Sequence, residues 1–190
     1  MRKLAATLLL LAIAVGCATR EGTRYFPAGT LDADSVLDGF RSRWYSRHLE
    51  AMREPVLYAP GGKPSLRFTL LRTFDHPIAI RVVFDGSSCQ LTAKELTGQG
   101  GYESGSLRRR VDRPLEQDAC TRLATLLSSP ELWQPSPKTL GLDGSEWIVE
   151  SSVGEYRVVR DWSPKSGPIR SLGLELIGLV GWSDLDGGVY

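Results

Sequence analysis

Between Gly141 and Pro164 the sequence leaves room for little other than a β-hairpin, and that constrains the rest of the chain. Asp143-Gly144 is a turn pair that accepts positive φ, which β-branched residues resist. Beyond it Trp147, Val149 and Ser151 alternate with Ile148 and Glu150. After a break at Val153-Gly154, Tyr156, Val158, Arg160 and Trp162 share one face. Ser163-Pro164 stops the ladder. This density of aromatic and β-branched residues predicts the centre of a sheet.

The other segments supply strands and helices around it. A helix is predicted from about Asp34 to Arg53, capped by Asp32 or Asp34, with Pro55 just beyond. Its apolar stripe reads Leu37, Phe40, Trp44, His48 and Ala51, with Arg41, Arg43, Arg47 and Glu50 on the other faces. Three strands follow. One carries Leu66, Phe68 and Leu70; the next alternates Ile78, Ile80, Val82 and Phe84 against Ala79, Arg81 and Val83; the third runs from Cys89 to Leu96. Short connections make these neighbours antiparallel. A loose glycine-rich loop, Gly98 to Tyr102, leads to a basic fourth strand at Leu107 to Val111. A second helix starts near Pro114, with Leu115, Ala119, Leu123 and Leu126 inward, and stops at Ser128-Ser129-Pro130. The last helix opens at Gly167-Pro168 and carries Ile169, Leu172, Leu176, Leu179 and Val180. Its glycines suggest close packing or a frayed end. The order αββββαββα lacks regular β-α-β alternation. It predicts an α+β fold: one antiparallel sheet of about six strands with helices packed on one face.

The N-terminus reads as an address. Arg2 and Lys3 precede the apolar run Leu4 to Val15, which is short of the roughly 20 residues a bilayer span needs. It ends in Ala14-Val15-Gly16-Cys17, which resembles the lipobox of bacterial lipoproteins, with Ala14 where Leu is usual. The resemblance implies cleavage after residue 16 and lipid attachment at Cys17. With Ala18 next, it implies sorting to the outer membrane, facing the periplasm. Residues 17–30 read as a tether reaching about 40 Å at roughly 3.3 Å per residue; 31–182 read as a single domain, and 183–190 as a loose tail. Losing Arg2 and Lys3 takes the 23 basic residues to 21 against 22 acidic ones. That balance argues against a nucleic-acid partner. In an oxidising compartment, the two cysteines left after lipidation predict a Cys89–Cys120 disulfide joining a strand to the second helix.

Three stretches, Leu91 to Tyr102, Gly141 to Glu150 and Tyr156 to Pro164, resemble a family of uncharacterised bacterial exported proteins over about residues 65 to 182. The resemblance implies a shared fold and carries over no functional residue.

Chemistry is sparsely marked. His48 and His76 lack metal-ligand spacing, and nothing points to a cofactor. His48 on an apolar stripe reads as a hydrogen-bonded core histidine. Asp75 beside His76 permits a triad, but no nucleophile elbow accompanies it. The glycine-rich loop lacks the Lys-Ser/Thr of a phosphate loop. Glu146, Glu150 and Asp161 read as solvated strand positions rather than paired acids. Trp147, Tyr156, Arg160 and Trp162 form a candidate binding surface, against the alternative of a packed sheet face. Arg108 and Arg110 form a second candidate, against the alternative of a charged edge strand. The sequence therefore points to a membrane-anchored envelope lipoprotein that is a non-enzymatic binding or structural accessory, its partners the membrane and another envelope protein or peptide. An inhibitor or immunity-type protein and a hydrolase are the alternatives.

Overall fold

A computed structural model describes residues 22–135 and 141–182. The predicted signal segment 1–16, Cys17 and the predicted tail 183–190 lie outside them. The elements are α1 (Ser35–Ala51), β1 (Ser65–Arg72), β2 (Ile78–Asp85), β3 (Ser88–Leu96), β4 (Leu107–Pro114), α2 (Gln117–Ser128), a 3-10 turn (Pro130–Trp133), β5 (Ser145–Ser151), β6 (Arg157–Trp162) and α3 (Pro168–Val180). The strands form one antiparallel sheet in the order β4-β3-β2-β1-β5-β6. The α+β class and the element order follow the sequence pattern.

Placement corrects it in several ways. The hairpin β5–β6 lies at one end of the sheet, with β6 as an edge; β1 and β2 hold the centre. The helices cover both faces rather than one. Leu66, Phe68, Leu70, Ile80, Leu91 and Trp147 meet Leu123 of α2 and Leu172 and Leu176 of α3 on the first face. Leu71, Ala79 and Ile148 meet Tyr45 and Leu49 of α1 on the second. Pro114 ends β4 instead of opening α2. Part of the stretch predicted as a tether is folded, since Tyr25 and Phe26 are buried against α1. The Tyr25 amide donates to Ser46 Oγ and its hydroxyl to the Glu54 carbonyl.

The first face is apolar and stapled. Cys89 of β3 and Cys120 of α2 form the expected disulfide. A Cβ on Gly173 would stand 2.4 Å from Cζ3 of Trp147, so this α3 glycine serves close packing.

The second face combines its apolar cluster with buried ion pairs. Arg67 donates through Nε and Nη2 to Glu150, both at 2.7 Å, in a fork that is geometrically specific. Glu54 sits 2.8 Å from Arg81 Nε and 2.7 Å from Lys94 Nζ. Burial acts to raise the Glu54 pKa, but the three cations Arg81, Arg67 and Lys94 hold it below the usual value. Lys94 also donates to the Met52 carbonyl at the C-terminal end of α1, where a cation complements the helix dipole. Ions of this kind are tolerated inside only when paired.

The rotation of α1 on this face departs from its apolar stripe. Asp34 caps the helix through Val36 and Leu37 amides, as expected. Its buried residues, however, are Asp38, Arg41, Tyr45, Ser46, His48 and Leu49. Arg41, assigned by spacing to an outer face, is 4% exposed and pairs with Asp32. Asp38 accepts from the Gly29 and Leu31 amides. With Tyr45 and Leu49 on the sheet and the polar residues held by the preceding segment and the β3–β4 loop, Phe40 is left 54% exposed and Leu37 and Trp44 half-buried.

Candidate functional site

The displaced apolar stripe of α1 forms the wall of a groove. Leu37, Phe40 and Trp44 face Gly101–Tyr102–Glu103 of the β3–β4 loop, Gly141–Leu142 before β5, and Trp162 at the end of β6. Arg41, Thr73 and Glu146 complete its lining, and Arg43 and Arg47 stand along it. Its volume is about 900 Å³, near the upper end of the roughly 300–1,000 Å³ typical of small-molecule sites.

The loop that closes one side is tied down, not loose. The Gly100 carbonyl accepts from Trp44 Nε1 at 2.7 Å and from His48 Nε2 at 3.0 Å. The Gly100 amide donates to the Asp75 carbonyl and the Gly101 amide to the Thr73 carbonyl. A carbonyl partner requires the proton on His48 Nε2, so Nδ1 accepts from the Ser104 hydroxyl at 3.0 Å. Burial, with Arg47 alongside, lowers the His48 pKa to about 4 against the opposing Gly100 contact. His48 is thus the hydrogen-bonded core histidine that its place on the helix suggested, and it holds the groove's shape.

At the opposite side, Trp162 lies over the approach to β5. A Cβ on Gly144 would stand 3.0 Å from the Trp162 ring and 2.4 Å from Ser163 Oγ. Gly144 is required by that close approach and not by positive φ, contrary to the turn expectation. Its carbonyl accepts from the Thr73 amide and hydroxyl, fixing β5 to the end of β1.

The floor holds alternating charges. Glu146 Oε1 accepts from Arg160 Nη1 at 3.2 Å, Arg160 Nη2 lies 3.4 Å from Asp32, and Arg41 Nη1 lies 3.3 Å from the same carboxylate. Burial raises the Glu146 pKa to about 7, against the pull of Arg160 and Arg41. Arg41 Nε is buried without a hydrogen-bond partner. At the rim, Arg43 and Arg47 have no ion-pair partner among the described residues.

Of the residues singled out from sequence, Trp162 lines the groove and Arg160 anchors its floor. Trp147 does not join them. It is fully buried on the opposite face, 5.2 Å from the Phe68 ring centroid, with Arg170 over its indole. Tyr156 donates to Glu150 at 3.0 Å and meets the Tyr58 ring. The four-residue hairpin surface is therefore split by the sheet. Arg108 and Arg109 both contact the buried Glu95, and Arg110 pairs with Asp112. With β4 at the edge, that is the charged edge strand. Glu146 and Glu150 are buried ion-pair partners and not solvated positions. His76 Nδ1, where a triad carboxylate would sit, donates to the Gly98 carbonyl at 3.0 Å. Among the described residues no cluster of three or more His, Cys, Asp or Glu is placed to hold a metal ion. Arg41, Tyr102, Leu142 and Glu146 as groove residues escaped the sequence reading. The signal available was the second phase of α1, Asp38-Arg41-Tyr45-His48, which is as regular as the apolar one.

Compared with protein-family models, curated protein sequences and solved structures, the chain gives no significant match in any of the three. What the site does must be read from its own residues.

Proposed function

We propose that this chain is a membrane-anchored lipoprotein of the cell envelope, held by Cys17 in the outer membrane and facing the periplasm, and that it acts as a non-enzymatic binding accessory through the α1 groove. One observation supports this most. The apolar stripe Leu37-Phe40-Trp44 is spent on the wall of an open groove, while α1 packs its charged side inward. Exposed aromatic side chains beside arginines are the usual anchors of recognition. The polar groups nearby are engaged in holding structure: His48 with Gly100, Glu146 with Arg160, Asp32 with Arg41. Such an arrangement favours binding over proton transfer. An inhibitor would present a protruding loop, whereas the loop from Gly98 to Gly105 is fastened to Asp75, Thr73 and α1. The anchor fits the address in the first seventeen residues.

Metabolic labelling with radiolabelled palmitate tests the anchor. Cys17→Ser is expected to abolish incorporation and release the chain from the membrane fraction. Unchanged incorporation in that variant overturns the lipoprotein reading.

A further inference from the structure

We propose that the groove takes a single-chain anionic amphiphile, with its acyl chain against Leu37, Phe40 and Trp162 and its carboxylate or phosphate at Arg43 and Arg47. This rests on the reading of the groove as the binding site and names the chemistry it selects.

Three observations converge. First, the walls are apolar and the volume of about 900 Å³ suits one chain and a small headgroup, not a bilayer or a folded partner. Second, the cations at the groove exceed what their neighbours satisfy. Arg43 and Arg47 are exposed and lack ion-pair partners among the described residues. A guanidinium without a carboxylate partner leaves its fork of donors open to an incoming oxyanion. Glu103 and Glu146 are the carboxylates on the lining, and Glu146 is held by Arg160. Third, the site lies near the anchor. Gly22, Thr23 and Arg24 border a hollow of about 390 Å³ that shares Arg43 and Arg47 with the groove. No more than about 20 Å of extended chain separates Thr23 from Cys17. A lipid-anchored chain thus presents its arginine rim close to a surface that supplies such molecules.

The test uses the full chain carrying Cys17→Ser, titrated with decyl phosphate below its micelle concentration, with 1-decanol and inorganic phosphate as the comparison probes. Calorimetry and tryptophan fluorescence report binding. Decyl phosphate is expected to bind at least tenfold more tightly than decanol, and phosphate alone not measurably. Arg43→Gln and Arg47→Gln are each expected to weaken decyl phosphate several-fold while unfolding curves stay unchanged. Both residues are exposed, whereas Arg41 is buried against Asp32 and supports the fold. Equal binding of decanol, or indifference to both substitutions, overturns the anionic selectivity. Absence of decyl phosphate binding overturns the proposed ligand class. Neither result bears on the anchor, which stands or falls with palmitate incorporation at Cys17.

Discussion

The His48 imidazole, fully buried, donates from Nε2 to the Gly100 carbonyl at 3.0 Å and so fastens α1 to the loop that faces it across the groove. Protonation would place a charge in a site that burial and Arg47 disfavour.

His48 and Glu146 give opposite pH dependences. The His48 pKa is lowered from 6.5 to about 4, so its stabilisation is complete above 6.5 and lost as pH falls through 4. The Glu146 pKa is raised from 4.5 to about 7, so its contribution is complete below 4.5 and lost as pH rises through 7. The groups facing Glu146 are Arg41 and Tyr45 from α1 and Arg160 from β6. At 1.36 kcal/mol per unit, each contributes on the order of 3 kcal/mol, and the two nearly cancel between them. In urea titrations, Glu146→Gln should make stability rise from pH 4.5 to 6.5, and His48→Gln should make it fall. Parallel profiles for the two variants would refute the assignment.

The Arg67–Glu150 fork is a second point of leverage. Removing one partner leaves an unpaired ion inside, so Arg67→Ala should cost about 3–5 kcal/mol. Replacing both by apolar residues of similar volume should cost far less. Denaturant midpoints for the single and paired substitutions check this; an equal or larger loss in the paired variant contradicts it.

The two tryptophans of the hairpin should separate cleanly. Trp147 is packed against Phe68 and Gly173, so Trp147→Ala should cost about 3–5 kcal/mol through the cavity it leaves. Trp162 is half-buried at the groove, so Trp162→Ala should cost less and weaken decyl phosphate binding. Urea unfolding of both variants reads the difference, and equal losses would place Trp162 in the core.

The strands were legible because their alternation is regular and their connections short; Leu66-Phe68-Leu70 and Ile78-Ile80-Val82 fall on the face that the pattern assigns. Cys89 and Cys120 were legible by count. The orientation of α1 was not. Hydrophobic periodicity takes no account of the loops that bind the polar side of this helix, where Asp38 holds the Gly29 and Leu31 amides, Arg41 holds Asp32, Ser46 accepts from Tyr25 and His48 donates to Gly100. Tyr25 and Phe26 were likewise read as a tether because a two-residue aromatic anchor has no period. The groove was hidden for the same reason as the helix phase: its wall is the stripe expected in the core.

The groove as binding site is tested most directly by the five tryptophan indole N–H signals in a two-dimensional 15N–1H spectrum, followed during a decyl phosphate titration. Trp44 and Trp162 line the groove, whereas Trp147 donates to Ser145 Oγ on the other face, Trp133 donates to the Leu127 carbonyl and Trp182 lies under Arg109. The signals of Trp44 and Trp162 should move together along one saturating curve while the other three stay in place. Movement of Trp147, Trp133 or Trp182 with Trp44 and Trp162 unmoved, or no movement at any of the five, would contradict a ligand in this groove.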